Sequence, residues 1–294
     1  MKASKFGFVS LLGRPNVGKS TLFNTLIGTK IAIVSPKPQT TRNRITGIFS
    51  AQEGQIVFWD LPGIHKALGV MNRRMVAIAL NGLSAVDLGL WIIDAERDAR
   101  VDEFMMGHIK AKKPPLLLVI NKIDLVRKND LLPMIDVYRK AYDFLEVVPV
   151  SAKKQTNIPA LKKAIFDHLP EGEPLFAEED ITDIPERTLV AEIVREKIFL
   201  LTKQEIPYAT AVQIESFDEK KNLISIRAEI WVEKESQKGI LIGKGGQMMK
   251  QIGSLARSDI EKLLDSKTYL ELNVRVQERW REKPAALDAL GIRA

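Results

Sequence analysis

Gly13-Arg14-Pro15-Asn16-Val17-Gly18-Lys19-Ser20 is the stretch on which the reading of the chain turns. It has the form G-x-x-x-x-G-K-S of a phosphate-binding loop. Before it, the apolar run Phe6–Leu12 has the character of a buried strand. After it, Thr21-Leu22-Phe23-Asn24-Thr25-Leu26-Ile27 has helical spacing and stops at Gly28. Strand, glycine-flanked loop and helix start is the setting that the motif requires. The glycines let backbone N–H groups close around a phosphate, and the helix N-terminus adds favourable partial charge. In that setting Lys19 reaches the β- and γ-phosphates and the Ser20 hydroxyl ligates Mg²⁺, with Asn16, Val17, Gly18 and Thr21 completing the cradle.

Working outward, apolar runs alternate with helical patterns, which predicts a mostly parallel sheet covered by helices on both faces. The strands are expected at Phe6–Leu12, Ile45–Ser50, Gln55–Asp60, Leu88–Asp94, Leu116–Asn121 and Val147–Val150. Ala51-Gln52-Glu53-Gly54 reads as a hairpin turn, so one strand is antiparallel. Helices are expected near Met71–Leu83, Val101–Ala111, Leu131–Phe144 and Ile158–His168.

In such a sheet, ligand groups gather at the carboxyl ends of the strands. Asp60-Leu61-Pro62-Gly63 ends the third strand. Asp60 would hold Mg²⁺, directly or through water, and Gly63 would offer its N–H to a γ-phosphate. Asn121-Lys122-Ile123-Asp124 ends the fifth. The Asp124 carboxylate can accept from guanine N1–H and the exocyclic amine, a donor pair that adenine lacks, while the Lys122 stem packs over the base. Ser151-Ala152-Lys153 ends the sixth, where the Ala152 N–H could meet guanine O6 and reject an adenine amino group. GTP rather than ATP is the expected nucleotide.

The bulk numbers agree with a two-domain globular protein. At 294 residues the chain can bury two cores. The absence of cysteine excludes disulfides, thiolate zinc sites and thiol nucleophiles. No run of eighteen apolar residues or signal-peptide core is present, so a cytoplasmic location is expected. Charge is uneven: residues 1–170 carry +11, 171–219 carry −9 and 220–294 carry +5. Two basic blocks around an acidic segment suit a polyanionic partner.

Pro170–Pro174 stops a helix, and the acidic stretch that follows reads as a linker, 171–187, between a nucleotide domain (1–170) and a second domain (188–294). The second begins with a helix whose apolar stripe is Leu189, Ile193, Ile198 and Leu201, and whose Arg195-Glu196-Lys197 face should be solvated. Strands are expected at Tyr208–Phe217 and Leu223–Trp231, then two helices, the second running to Asp265, and a last strand at Thr268–Val276. The order is α-β-β-α-α-β. Trp231, Tyr269 and Trp280 read as packing residues. The tail from Arg275 either docks on RNA or caps the domain.

The first half resembles translation-factor-type GTP-binding domains. That resemblance implies a Mg²⁺-binding threonine in Pro38-Gln39-Thr40-Thr41-Arg42, with Thr41 preferred and Thr40 the alternative, and makes Lys19, Thr41 and Gly63 the catalytic set. It also implies that Gly63–Asn72 moves when the γ-phosphate leaves. Ras-like enzymes carry a water-orienting glutamine after D-x-x-G. Ile64 stands here instead, and the adjacent His65 reads as an exposed loop residue, so slow intrinsic turnover is expected. Related GTPases with apolar residues here use the loop asparagine to bind potassium, which implies K⁺ at Asn16.

Gly243-Lys244-Gly245-Gly246 has the GxxG form and lies between the two helices, which resembles a type II KH domain. Such a loop lets a nucleic-acid backbone approach closely, with bases read in an adjacent apolar groove. The RNA-binding candidates are Ile242, Gly243, Lys244, Gly245, Gly246 and Lys250. The combination closely resembles the Era family of bacterial GTPases. This implies an α/β P-loop GTPase domain followed by an α+β type II KH domain, binding to 16S rRNA near its 3′ end, assistance to 30S subunit biogenesis, and peripheral inner-membrane association. The family's usual D-T-P-G is D-L-P-G here. Competing readings are an ATP-using kinase, an RNA-binding adaptor with a dead nucleotide site, and a membrane-cycle GTPase acting through a protein partner.

Overall fold

The computed structural model describes residues 4–97 and 100–293. Its first sheet has six strands: β1 (Lys5–Leu12), β2 (Ile45–Ala51), β3 (Gly54–Asp60), β4 (Leu88–Asp94), β5 (Leu116–Asn121) and β6 (Glu146–Pro149). They lie in the order β2-β3-β1-β4-β5-β6. Only β2 is antiparallel, paired with β3 through the expected hairpin. The helices around this sheet are α1 (Lys19–Ile27), α2 (Gly69–Ser84), α3 (Glu103–Lys112), α4 (Lys128–Ala141) and α5 (Ile158–His168). Successive residues of β5 feed opposite cores, as strand pleating requires. Leu117 and Val119 pack with Phe23, Leu26 and Ile165, whereas Leu118 and Ile120 pack with Leu61, Trp91 and Tyr138. This double-sided burial is why the strands read as continuous apolar runs.

The second half contains α6 (Glu186–Leu201), α7 (Ile206–Ala209), β7 (Ala211–Lys220), β8 (Leu223–Val232), α8 (Glu235–Ile242), α9 (Gln247–Leu264), β9 (Thr268–Val276) and α10 (Pro284–Ala289). Its sheet runs β7-β8-β9, with β8 antiparallel to β7 and parallel to β9. Helices α6 and α9 cover one face through Val194, Ile198, Ile252 and Ile260. The strand expected from Tyr208 starts only at Ala211, because Pro207 sits in the first turn of α7, where its fixed φ favours helix.

Three further sequence expectations change. The acidic segment is no loose tether. Gln55 accepts from the Leu175 and Phe176 N–H groups, and Ile181 O accepts from Ile48 N–H, so the segment runs along the open edge of β2. The Arg195-Glu196-Lys197 face is not solvated, since all three residues are buried. Glu196 accepts from Lys30 Nζ (2.6 Å) and Lys197 Nζ (2.9 Å), and Lys197 also pairs with Asp259. Tyr269 is exposed rather than packed, while Trp231 and Trp280 are buried. Trp280, Leu287 and Ile292 from the tail pack with Met71 and Met75 of α2. Arg74 of α2 donates to Asp288 Oδ1 (2.6 Å) and Ile292 O (2.8 Å), so the tail grips the first half.

Candidate functional site

The loop between β1 and α1 closes on itself. Gly18 has φ +96°, and a Cβ there would stand 2.3 Å from Asn121 Nδ2. The close approach is used: Asn121 Nδ2 donates to Val17 O (2.8 Å), and its Oδ1 accepts from Ala152 N–H (3.0 Å). This departs from the sequence expectation for Ala152, whose N–H points to Asn121 rather than standing free for a base. Lys122 donates to Asn16 O (2.9 Å) and pairs with the buried Asp94 (2.5 Å), which lays its stem along the loop. Asp124 is held by Ser151 Oγ, which donates to Oδ1 at 2.6 Å. Sequence reasoning missed Asp94. It ends β4 as Asp60 ends β3, and that position was the available signal.

Around the phosphate end, Lys19 is buried and donates to Gly13 O (3.2 Å) and Arg14 O (2.9 Å). Burial lowers its ammonium to about 8, while the Asp60 charge acts in the opposite direction. Ser20 Oγ donates to Asp60 Oδ2 at 2.6 Å, and Thr41 Oγ1 does so at 3.0 Å. Thr40 lines the same cavity, but its carbonyl accepts from Arg195 and its hydroxyl makes no bond to Asp60 among the described residues. Burial raises the Asp60 carboxyl above its usual range, against the pull of Lys19, Ser20 and Thr41. Asp60 Oδ1 is buried with no hydrogen-bond partner among the described residues. Two hydroxyls and a carboxylate with an uncommitted oxygen fit a hard divalent cation. Gly63, Thr21 and Asn16 line the same cavity as Lys19 and Thr41. Asn16 Nδ2 is anchored on Pro36 O (3.0 Å), which leaves its Oδ1 as the free acceptor.

The loop carrying Thr41 is fastened to the second half. Arg42 is buried and donates to Thr210 O (2.6 Å), Tyr208 O (3.1 Å) and Pro207 O (3.2 Å). Lys37 donates to the carbonyls of Phe199 and Thr202. The Glu282 carboxylate accepts from Val70 N–H at 3.1 Å, at the first turn of α2. None of these bridges has a local sequence signature.

Between α8 and α9, Gly243 has φ +72° and leaves no room for a side chain, because a Cβ would stand 2.7 Å from Met248 Cβ. Lys244 is exposed at the tip. Beside it lies a groove of about 690 Å³ lined by Ile242, Gly246, Met249 and Lys250, and further by Arg257 and Asn273. The last two were missed in the sequence. Arg257 follows Lys250 by seven residues, the helical repeat that places both on one face of α9.

Comparison with known proteins agrees with this geometry. A family model described as 50S ribosome-binding GTPase matches residues 8–122, and a KH domain model matches 205–281. The chain is 51% identical to GTPase Era of Trichlorobacter lovleyi over 98% of its own length and 97% of that protein's. It is 50% identical to GTPase Era of Geotalea daltonii, with 97% of each covered. Among solved structures, a variant of Aquifex aeolicus Era bound to GDP·AlF4⁻ is 44% identical with a TM-score of 0.95, covering 99% of this chain and 100% of that one. Era in complex with MgGDPNP and nucleotides 1506–1542 of 16S ribosomal RNA is 43% identical with a TM-score of 0.96 and the same coverage. A P-loop GTPase fold with a mostly parallel sheet, followed by a KH fold, is thus shared along the whole length. The chain belongs to the GTPase Era family, and its activity is the hydrolysis of GTP to GDP and phosphate.

Proposed function

We propose that GTP binding and hydrolysis by this chain control how its KH half grips the 3′ end of 16S rRNA, in the service of small (30S) subunit biogenesis. The observation that carries the reading is the placement of Thr41 and Arg42. One turns to the candidate cation site and the next is buried in the second half. The similar Era solved with MgGDPNP and a 16S rRNA fragment supports the choice of RNA. In this reading Asp124 and Ser151 select guanine, Lys122 covers the base, and Asn121 and Ala152 brace the loop, with Lys153 beside the base. Lys19 and the N–H groups of Asn16–Thr21 and Gly63 hold the phosphates. Ser20, Thr41 and Asp60 would hold Mg²⁺, which neutralises charge on the β- and γ-phosphate oxygens.

The KH half contributes Lys244 as a phosphate contact, Gly243, Gly245 and Gly246 for close backbone approach, and Ile242 and Lys250 along the groove. Lys244→Asp should weaken binding of a 16S 3′-end RNA by about tenfold and lower the slope of log Kd against log salt by about one. Fluorescence anisotropy across a salt series checks this. Unchanged affinity and slope would remove the loop from the RNA site.

Asn16 Oδ1 is also proposed to ligate K⁺, as the resemblance implies. Turnover should then be higher in KCl than in NaCl at equal ionic strength, and equal rates would reject the cation. Residence in the cytoplasm with peripheral contact at the inner membrane belongs to the same proposal, as does the division of the chain at 171–187. No helix of the described residues is long and apolar enough to cross a membrane.

A further inference from the structure

Hydrolysis needs a group that orients the attacking water, and Ile64 supplies none. Its side chain is 1% exposed and packed in the core, and its N–H donates to Gly13 O (3.3 Å). Rotation toward the phosphate would break that packing. The cavity beside Lys19 and Gly63 is lined by two side-chain carboxamides, Asn16 and Gln39. Asn16 is tied to Pro36 O. Gln39 lies two residues before Thr41 in the left-handed region, with φ +60°, a conformation uncommon for a non-glycine residue.

His65 meets the Gln39 side chain. Its Nδ1 lies 2.8 Å from Gly63 O, and its Nε2 lies 3.3 Å from Gln39 Nε2. A carbonyl only accepts, so Nδ1 carries the proton and Nε2 presents its lone pair. Gln39 Nε2–H then donates to the ring, which fixes the direction of the carboxamide. Gln39 Oε1 is then left as the acceptor, on a residue that lines one cavity with Gly63 and Thr41. The latch also ties the Pro38–Arg42 loop to the carbonyl of Gly63.

We infer that Gln39 is the catalytic residue that orients the attacking water, and that His65 is the positioning residue that aims it. This rests on the reading above that Gly63 and Thr41 flank the γ-phosphate. Gln39 Oε1 accepts a hydrogen bond from the water. The water oxygen forms a bond to Pγ as the bond from Pγ to the bridging oxygen of GDP breaks, and the water's proton ends on the released phosphate. The carboxamide exchanges hydrogen bonds only and stays neutral, so it serves from Pro38–Arg42 the role that a glutamine after D-x-x-G serves elsewhere.

The test is single-turnover GTP hydrolysis by the full chain, run beside binding of a non-hydrolysable GTP analogue and of GDP with aluminium fluoride. Gln39→Ala should slow the chemical step by about 100-fold or more and weaken GDP–aluminium fluoride binding in parallel, while analogue affinity changes by less than about threefold. His65→Ala should cost about tenfold, and His65→Gln, which keeps an acceptor near the Nε2 position, should recover most of it. The Gln39→Ala/His65→Ala double variant should match Gln39→Ala alone, as expected when one residue acts through the other.

Turnover within threefold of the unmodified chain in Gln39→Ala, with analogue binding intact, would overturn the assignment and leave the nucleotide site standing. Analogue affinity falling as far as the rate would reduce Gln39 to a loop support and overturn it equally. Multiplicative losses in the double variant would remove His65 from the positioning role. Failure of the unmodified chain to bind the GTP analogue would instead overturn the site reading itself.

Discussion

Asp124→Asn should lower affinity for GTP by about 10³-fold and raise affinity for xanthosine triphosphate until the preference inverts. Ser151 Oγ holds Asp124 Oδ1 at 2.6 Å, and that bond survives the substitution because an amide oxygen also accepts. The other carboxylate oxygen becomes an NH₂ group. It then faces guanine N1–H and the exocyclic amine, donor against donor. Xanthine carries a carbonyl where guanine carries the amine, so the new donor finds an acceptor. Competition binding with GTP, xanthosine triphosphate and ATP measures the inversion. Equal weakening toward GTP and xanthosine triphosphate would mean that Asp124 supports the loop without reading the base.

The second large effect concerns Arg42. Its guanidinium is buried against three carbonyls and lies 5.6 Å from the Trp280 ring centroid, and no carboxylate among the described residues pairs with it. Burial first, and the neighbouring Arg195 next, push its pKa well below the usual range, against the pull of Glu192. An unpaired buried cation is an expensive way to hold two halves together. A switch contact explains the position better, because Arg42 directly follows Thr41. Arg42→Ala strands the carbonyls of Pro207, Tyr208 and Thr210 and should cost about 2–4 kcal/mol of stability, read by denaturant unfolding. It should also bring RNA affinities in the GDP and GTP-analogue states to within about twofold of each other, since the mechanical link is gone. A persistent difference between the states would route the coupling through the tail and α2 instead.

Much of the nucleotide site was legible because its parts are short, contiguous and placed by one rule. Gly13–Ser20, Asp60, Asn121–Asp124 and Ser151 each sit at the carboxyl end of a strand, and the strands are bounded by the residues that the apolar runs mark. The GxxG loop was legible for the same reason. What was not legible lies in pairings far apart in the chain. The Arg195-Glu196-Lys197 face reads as polar and exposed because periodicity weighs one helix at a time. Glu196 is covered by Lys30 and the Val34 N–H, residues more than 160 positions away, and Arg195 by Thr40. His65 reads as an exposed loop residue until Gln39 and the Gly63 carbonyl are found beside it. In each case a buried or half-buried polar group is satisfied by a partner that no local pattern announces.

The most direct measurement is a titration of fluorescent 16S 3′-end RNA with the full chain loaded with GDP or with a non-hydrolysable GTP analogue, followed by anisotropy. Coupling through Thr41 and Arg42 predicts binding about tenfold tighter in one nucleotide state, and we expect the GTP-analogue state to be the tighter. Equal affinity in both states would contradict it.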